Sequence, residues 1–91
     1  MTKVKVDVVF YTGRRKTPPK GNVYRPHFVV KDTSEYLGIQ FENLIENPFG
    51  THILCDVKLL YDGVDYSQLT PDTSFLILEG ALIVGEGIVI S

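Results

Sequence analysis

The chain has 91 residues, 44% hydrophobic and 22% charged, which places it among single globular domains and excludes a disordered segment or a protein with two cores. No apolar run approaches a membrane span, the opening Met1-Thr2-Lys3-Val4-Lys5 does not read as a secretory signal, and the lone Cys55 excludes an internal disulfide, so a reducing, cytoplasmic setting is expected. The net charge of −2 conceals a split: residues 1–31 hold eight of the nine Lys/Arg and one acid, net +7, and residues 32–91 hold one Lys and ten acids, net −9. Such a split predicts either two faces of opposite sign, one able to steer an anionic partner, or two halves that pack together and neutralise one another.

Thr2 to Tyr11 alternates Val4, Val6, Val8 and Phe10 against Lys3, Lys5, Asp7 and Val9, a period of two that predicts a half-buried strand. Gly13 to His27 then breaks regular structure, because Pro18-Pro19 removes backbone donors and Gly13 and Gly21 loosen φ. From Val8 to Lys31 there is no acid but there are six bases: Arg14, Arg15, Lys16, Lys20, Arg25 and Lys31. A long basic loop between two apolar stretches is a candidate site, since loops on rigid scaffolds carry function.

His27 to Lys31 predicts a second strand and Tyr36 to Glu42 a third. A helix over Ser34 to Ile45, capped by Ser34, competes with the latter, at a cost of about 1 kcal/mol for its central Gly38. Asn47-Pro48-Phe49-Gly50 is a turn. His52 to Tyr61 predicts a fourth strand with Ile53, Cys55, Val57 and Leu59 inward; turns follow at Asp62-Gly63 and Leu69 to Asp72. Phe75 to Leu78 is a fifth strand, Glu79-Gly80 a hairpin corner, and Leu82 to Ile90 a sixth strand in which Gly85 and Gly87 predict a bulge or bend. Six short strands in one domain, residues 1–91, predict an all-β barrel or sandwich.

No phosphate-binding glycine loop and no metal-ligand spacing is present, so no cofactor or metal is expected. His27 and Cys55 remain a conceivable nucleophilic pair, but Cys55 alternates with the apolar face of its strand, where a structural cysteine is the commoner case.

Arg15-Lys16-Thr17-Pro18, then Tyr24-Arg25-Pro26-His27-Phe28 and a strand ending Lys31-Asp32-Thr33, resemble the start of the third, C-terminal domain of translation elongation factor Tu. That family has Gly-Gly-Arg-His-Thr-Pro, then Tyr-Arg-Pro-Gln-Phe. The end agrees as well: Phe75 to Val89, with Glu79-Gly80 and Val84-Gly85-Glu86-Gly87, resembles the family's Arg-Phe-Ala-Ile-Arg-Glu-Gly-Gly-Arg-Thr-Val-Gly-Ala-Gly-Val-Val. The resemblance spans nearly the whole chain and implies a six-stranded antiparallel β-barrel. It further implies a domain of the protein-synthesis machinery that contacts the stem of tRNA and a GTPase domain without hydrolysing a nucleotide itself. Carried over by position, the RNA-facing residues are Arg15, Lys16, Thr17, Arg25, His27, Glu79 and Gly80, to which the basic loop adds Arg14 and Lys20. Guanidinium and ammonium donors suit phosphate and ribose oxygens, which position RNA without reading its sequence.

The departures from the family pattern are specific. Lys16 stands where the family has His, His27 where it has Gln, Leu78 where it has Arg, and Ala81-Leu82 where it has Gly-Arg. Two readings follow: a non-catalytic module for tRNA-like RNA, or a module for a translation-related protein or a second copy of itself, docking through the barrel wall or the acidic stretch Asp62 to Asp72. In either, with no GTPase domain in the sequence, no enzymatic activity is expected. Arg25 is expected to pair with a carboxylate of the acidic half, and Tyr24 to cover the barrel end.

Overall fold

A computed structural model describes residues 3–91, so the expected strand start at Thr2 lies outside the described residues. The elements in chain order are β1 (Lys3–Phe10), β2 (His27–Val30), β3 (Leu37–Glu42), β4 (Ile53–Leu59), β5 (Ser74–Glu79) and β6 (Leu82–Val89). Every segment read as a strand is one. The differences are at the ends: Tyr11, Lys31, Tyr36, His52, Leu60, Tyr61 and Ile90 lie outside the strands, and Ser74 and Glu79 lie within β5. A helix across Ser34 to Ile45 does not form, because Leu37, Ile39 and Phe41 are all fully buried at a spacing of two, which a helix would scatter around its circumference. Among the described residues no helix is long and apolar enough to cross a membrane.

The strands close into a barrel in the order β1-β4-β3-β2-β5-β6, with every seam antiparallel. Closure removes the exposed edges that an open sheet of this size would present. Val4, Val6, Val8 and Phe10 of β1 point inward, as the alternation requires, and meet Phe28, Ile39, Phe41, Val57, Phe75, Ile77, Val84 and Val89. Phe28 and Phe75 stack at the centre with rings 3.9 Å apart, and Phe41 lies 5.9 Å from both Phe28 and Phe10. Each such phenyl ring contributes about 1.5–3 kcal/mol by leaving water.

The glycines of β6 mark an irregularity, as expected. Ile77 opposes Gly85 but its neighbour Leu78 opposes Ile83, so Val84 is the extra residue of a bulge.

At one end of the barrel lie the connections 11–26, 43–52 and 80–81; at the other lie 31–36 and 60–73. The first connection is more ordered than its composition suggests. Gly21 and Leu44 exchange two backbone hydrogen bonds, and Phe41 N–H donates to Tyr24 O, so residues 21–26 extend β2 alongside the end of β3. The charge split resolves in part as neutralisation. Lys3 pairs with Glu42 at 2.9 Å, Lys5 with Asp56 at 3.5 Å, Lys20 with Glu46 at 3.5 Å and Arg15 with Glu79, each uniting the basic first third of the chain with the acidic remainder.

Candidate nucleic-acid interface

The sequence places Arg15 and Glu79 64 residues apart, and the barrel brings them into contact. Glu79 is the last residue of β5, directly before the turn at Gly80, whose φ of +60° suits a residue without a Cβ. Its Oε2 accepts from Tyr24 Oη at 2.6 Å and from the Arg15 guanidinium. That guanidinium also lies over the Tyr24 ring, 5.1 Å from its centroid, and its Nε donates to Thr17 O at 3.0 Å. Tyr24 stacks on Phe41 at 5.6 Å and edges against Phe10 at 6.0 Å, so it covers the barrel end as expected. The apolar core fixes Tyr24, Tyr24 and Arg15 fix Glu79, and the basic loop is folded back over the barrel end.

Arg14 is held by a different partner. It donates to Ile83 O at 3.1 Å and lies 5.7 Å above the Tyr11 ring, while Tyr11 Oη donates to Glu86 Oε1 at 2.6 Å. Arg25 departs from expectation. Its Nε donates to the neutral Gln40 Oε1 at 2.7 Å and not to a carboxylate, because Gln40 is the outward residue of β3 level with it, and Gln40 Nε2 in turn holds Asn22 O at 2.7 Å. Its full positive charge stays at the surface. Lys16 and Thr17 are exposed, and Lys20 remains 71% exposed despite its contact with Glu46. His27 opposes Leu78, one residue from Glu79, and its ring contacts Tyr36 at 5.5 Å.

Nine residues drawn from three stretches therefore meet around one end of the barrel and the adjoining wall. The roles of Tyr11, Tyr24 and Glu86 in holding the loop were not legible, since their partners lie 55 and 75 residues away. The signals in the sequence are the placing of Glu86 between two glycines and of Tyr24 just before Arg25-Pro26. His27 and Cys55 do not form a pair. His27 lies level with Gly38 of β3, whereas Cys55 lies one residue beyond the level of Glu42, a separation of about 16 Å along the strands. Burial, and then the Asp56 and Asp7 charges, push the Cys55 thiol up to about 12, which makes it a poor thiolate at neutral pH.

Burial and the Glu79 hydrogen bond raise the Tyr24 phenol well above its ordinary value, and burial and the Glu86 hydrogen bond push Tyr11 up to about 12. A phenol whose folded-state pKa is raised stabilises the fold fully below the unfolded value near 10 and loses that contribution as pH rises through the folded value. Stability measured by urea unfolding is therefore expected to hold to about pH 9 and to fall above pH 10, by at most ~1.4 kcal/mol per pH unit from Tyr24. Tyr24→Phe should flatten that decline. An unchanged decline in the variant would assign it to other groups.

Compared with models of known protein families and with curated proteins, the sequence matches none of them.

Proposed function

We propose that this barrel is a non-catalytic binding module of the cytoplasmic protein-synthesis machinery that engages tRNA-like RNA through the end formed by residues 14–20, 24–27 and 79–80. One observation supports this above the rest: positions scattered over more than sixty residues, which a resemblance to the tRNA-contacting domain of elongation factor Tu implies, converge on one surface where exposed cations surround a fixed core. The geometry divides their labour. Arg14 and Arg15 shape the loop, whereas Lys16 is exposed, Lys20 stays 71% exposed beside Glu46 and Arg25 meets the neutral Gln40, which supports these three as the phosphate contacts. Glu79 is neutralised by Arg15 and leaves its second oxygen available as a hydroxyl acceptor.

Titration of labelled bulk tRNA followed by fluorescence anisotropy tests the reading. Three phosphate contacts predict a log–log salt slope of about −2 to −3, from roughly −0.7 to −0.9 per contact. Combined Lys16→Ala, Lys20→Ala and Arg25→Ala should bring that slope close to zero. Wild-type protein that fails to bind tRNA even at low salt sinks the proposal.

A second reading has its own observation. Ile45 and Leu54 are 73% and 63% exposed beside a shallow pocket of about 320 Å³ that Ile53 and Cys55 also line. Such a dent suits an apolar side chain of a translation-related protein or of a second copy of the chain. Sedimentation of the protein alone, in parallel with the tRNA titration, separates this reading from the first.

A further inference from the structure

The outer wall of β2, β3 and β4 carries an aromatic surface that the barrel does not need. Gly38 faces outward from β3, between the inward Leu37 and Ile39, and opposes His27 of β2. A Cβ at Gly38 would lie 2.2 Å from Cε2 of Tyr61, so the Tyr61 ring occupies the space that the missing side chain leaves against the sheet. Tyr66 fixes this arrangement by donating to Gly38 O at 2.6 Å and accepting from Tyr61 N–H at 3.2 Å. Tyr61 is nevertheless 54% exposed, and Tyr36, whose ring meets His27, is 48% exposed. Tyr36, two positions before Gly38 on the same outward face, His27, opposite Gly38, and Tyr61, over Gly38, thus share this part of the wall.

Two residues along the strands, on the same outward face, lie Arg25, Gln40 and Lys58, the last two directly opposed across β3 and β4. That offset is about 6.6 Å from the level of Gly38 and His27 and about 13 Å from Tyr36. Exposed rings beside cations are the combination by which proteins hold unpaired nucleotides: bases stack on the rings and phosphates track the charges. Glu35 and Asp62 flank the tyrosines on the far side, and beyond Gln40 and Lys58 the acids Glu42 and Asp56 are each paired with a lysine of β1, so the cations left for phosphates on this wall are Arg25 and Lys58.

We infer that this wall is a stacking platform for an unpaired RNA segment, with bases on Tyr61 and Tyr36 and phosphates at Arg25 and Lys58. The inference rests on the RNA-binding reading and adds to it a single strand leaving the paired region held by the barrel end. Fluorescence anisotropy of labelled oligo(A), oligo(U) and a fully paired RNA hairpin tests both. Oligo(A), the better stacker, should bind more tightly than oligo(U). Tyr36→Ala and Tyr61→Ala should each weaken oligo(A) by about ten-fold, with phenylalanine at either position restoring it and hairpin binding unchanged. Gly38→Ala, which evicts the Tyr61 ring from its seat, should weaken oligo(A) similarly, and thermal melts of each variant establish that the barrel stays folded.

Hairpin binding without oligomer binding overturns the platform and leaves the barrel-end reading standing. Oligomer binding that survives both alanine variants also overturns the platform. Failure of every RNA to bind overturns both readings. Tyrosine-dependent binding of a neutral oligosaccharide in place of RNA would make the wall a sugar platform and overturn the inference as stated.

Discussion

Gly85→Ala is expected to destabilise the barrel by about 3 kcal/mol, at the upper end of what overpacking costs and a large part of the ~5–15 kcal/mol that holds a small domain together. Gly85 does not have a positive φ, so backbone conformation is not the reason. Space is the reason. A Cβ there would lie 2.5 Å from Val9 O and 3.2 Å from Phe10 Cα, backbone atoms of β1 that can retreat only if the β1–β6 seam parts. Gly87, two residues on, is similarly confined, 2.7 Å from Val8 Cγ1 and 2.8 Å from Asp7 O. Gly63 is the control, because nothing lies within 4 Å of its added Cβ and its φ is ordinary. Gly63→Ala should change stability by less than about 1 kcal/mol, in the stabilising direction, by restricting the unfolded chain. Urea unfolding followed by far-UV circular dichroism compares the two. Equal stability of Gly85→Ala and wild type would mean that the seam is looser than its register implies.

That seam shows what the sequence could and could not disclose. Alternation along Val4, Val6, Val8 and Phe10, and along Ile53, Cys55, Val57 and Leu59, was readable because a half-buried strand imposes a period of two on its own residues. The glycines of β6 announced an irregularity for the same local reason. Barrel closure is not local. The pairing of β1 with both β4 and β6 joins residues some fifty and eighty positions apart, and without the resemblance to elongation factor Tu the strand pattern served a sandwich equally well. Gly38 was legible only as a poor helix residue; that it seats the ring of Tyr61 depends on a neighbour more than twenty positions away.

The candidate site divides in the same manner. The basic loop was visible as composition, and Tyr24 as a residue able to cover the barrel end. Which cations are already engaged was invisible, because Arg14 and Arg15 find partners at Ile83 and Glu79 only after β5 and β6 are in place. Charge alone predicts a carboxylate for Arg25, whereas hydrogen-bond geometry on the outer wall gives it Gln40. Net charge indicates how much neutralisation is available; strand register decides who receives it.

Glu79→Ala is expected to cost about 2 kcal/mol, because it leaves two donors without their acceptor at once. Tyr24 Oη, half-buried above Phe41, loses its carboxylate, and the Arg15 guanidinium loses the contact that folds the loop back. The Arg15 and Glu79 side chains are 23% and 32% exposed, so solvent screens their attraction and the larger penalties of fully buried pairs do not apply. Glu79→Gln keeps an acceptor for Tyr24 and should lose only about 1 kcal/mol. A double-mutant cycle with Arg15→Ala should return a coupling of about 1 kcal/mol, the size expected of residues in one hydrogen-bonded network. Under the proposed RNA-binding reading, the functional consequence has the opposite sign. Once Glu79 is removed, Arg15 is released to take a phosphate, so Glu79→Gln should bind tRNA more tightly and steepen the salt slope by roughly one contact, −0.7 to −0.9. A coupling of zero would show that the loop is held by Arg14 and the backbone bridge at Gly21 alone. A salt slope unchanged in Glu79→Gln would place Arg15 outside the RNA path and leave the interface to Lys16, Lys20 and Arg25.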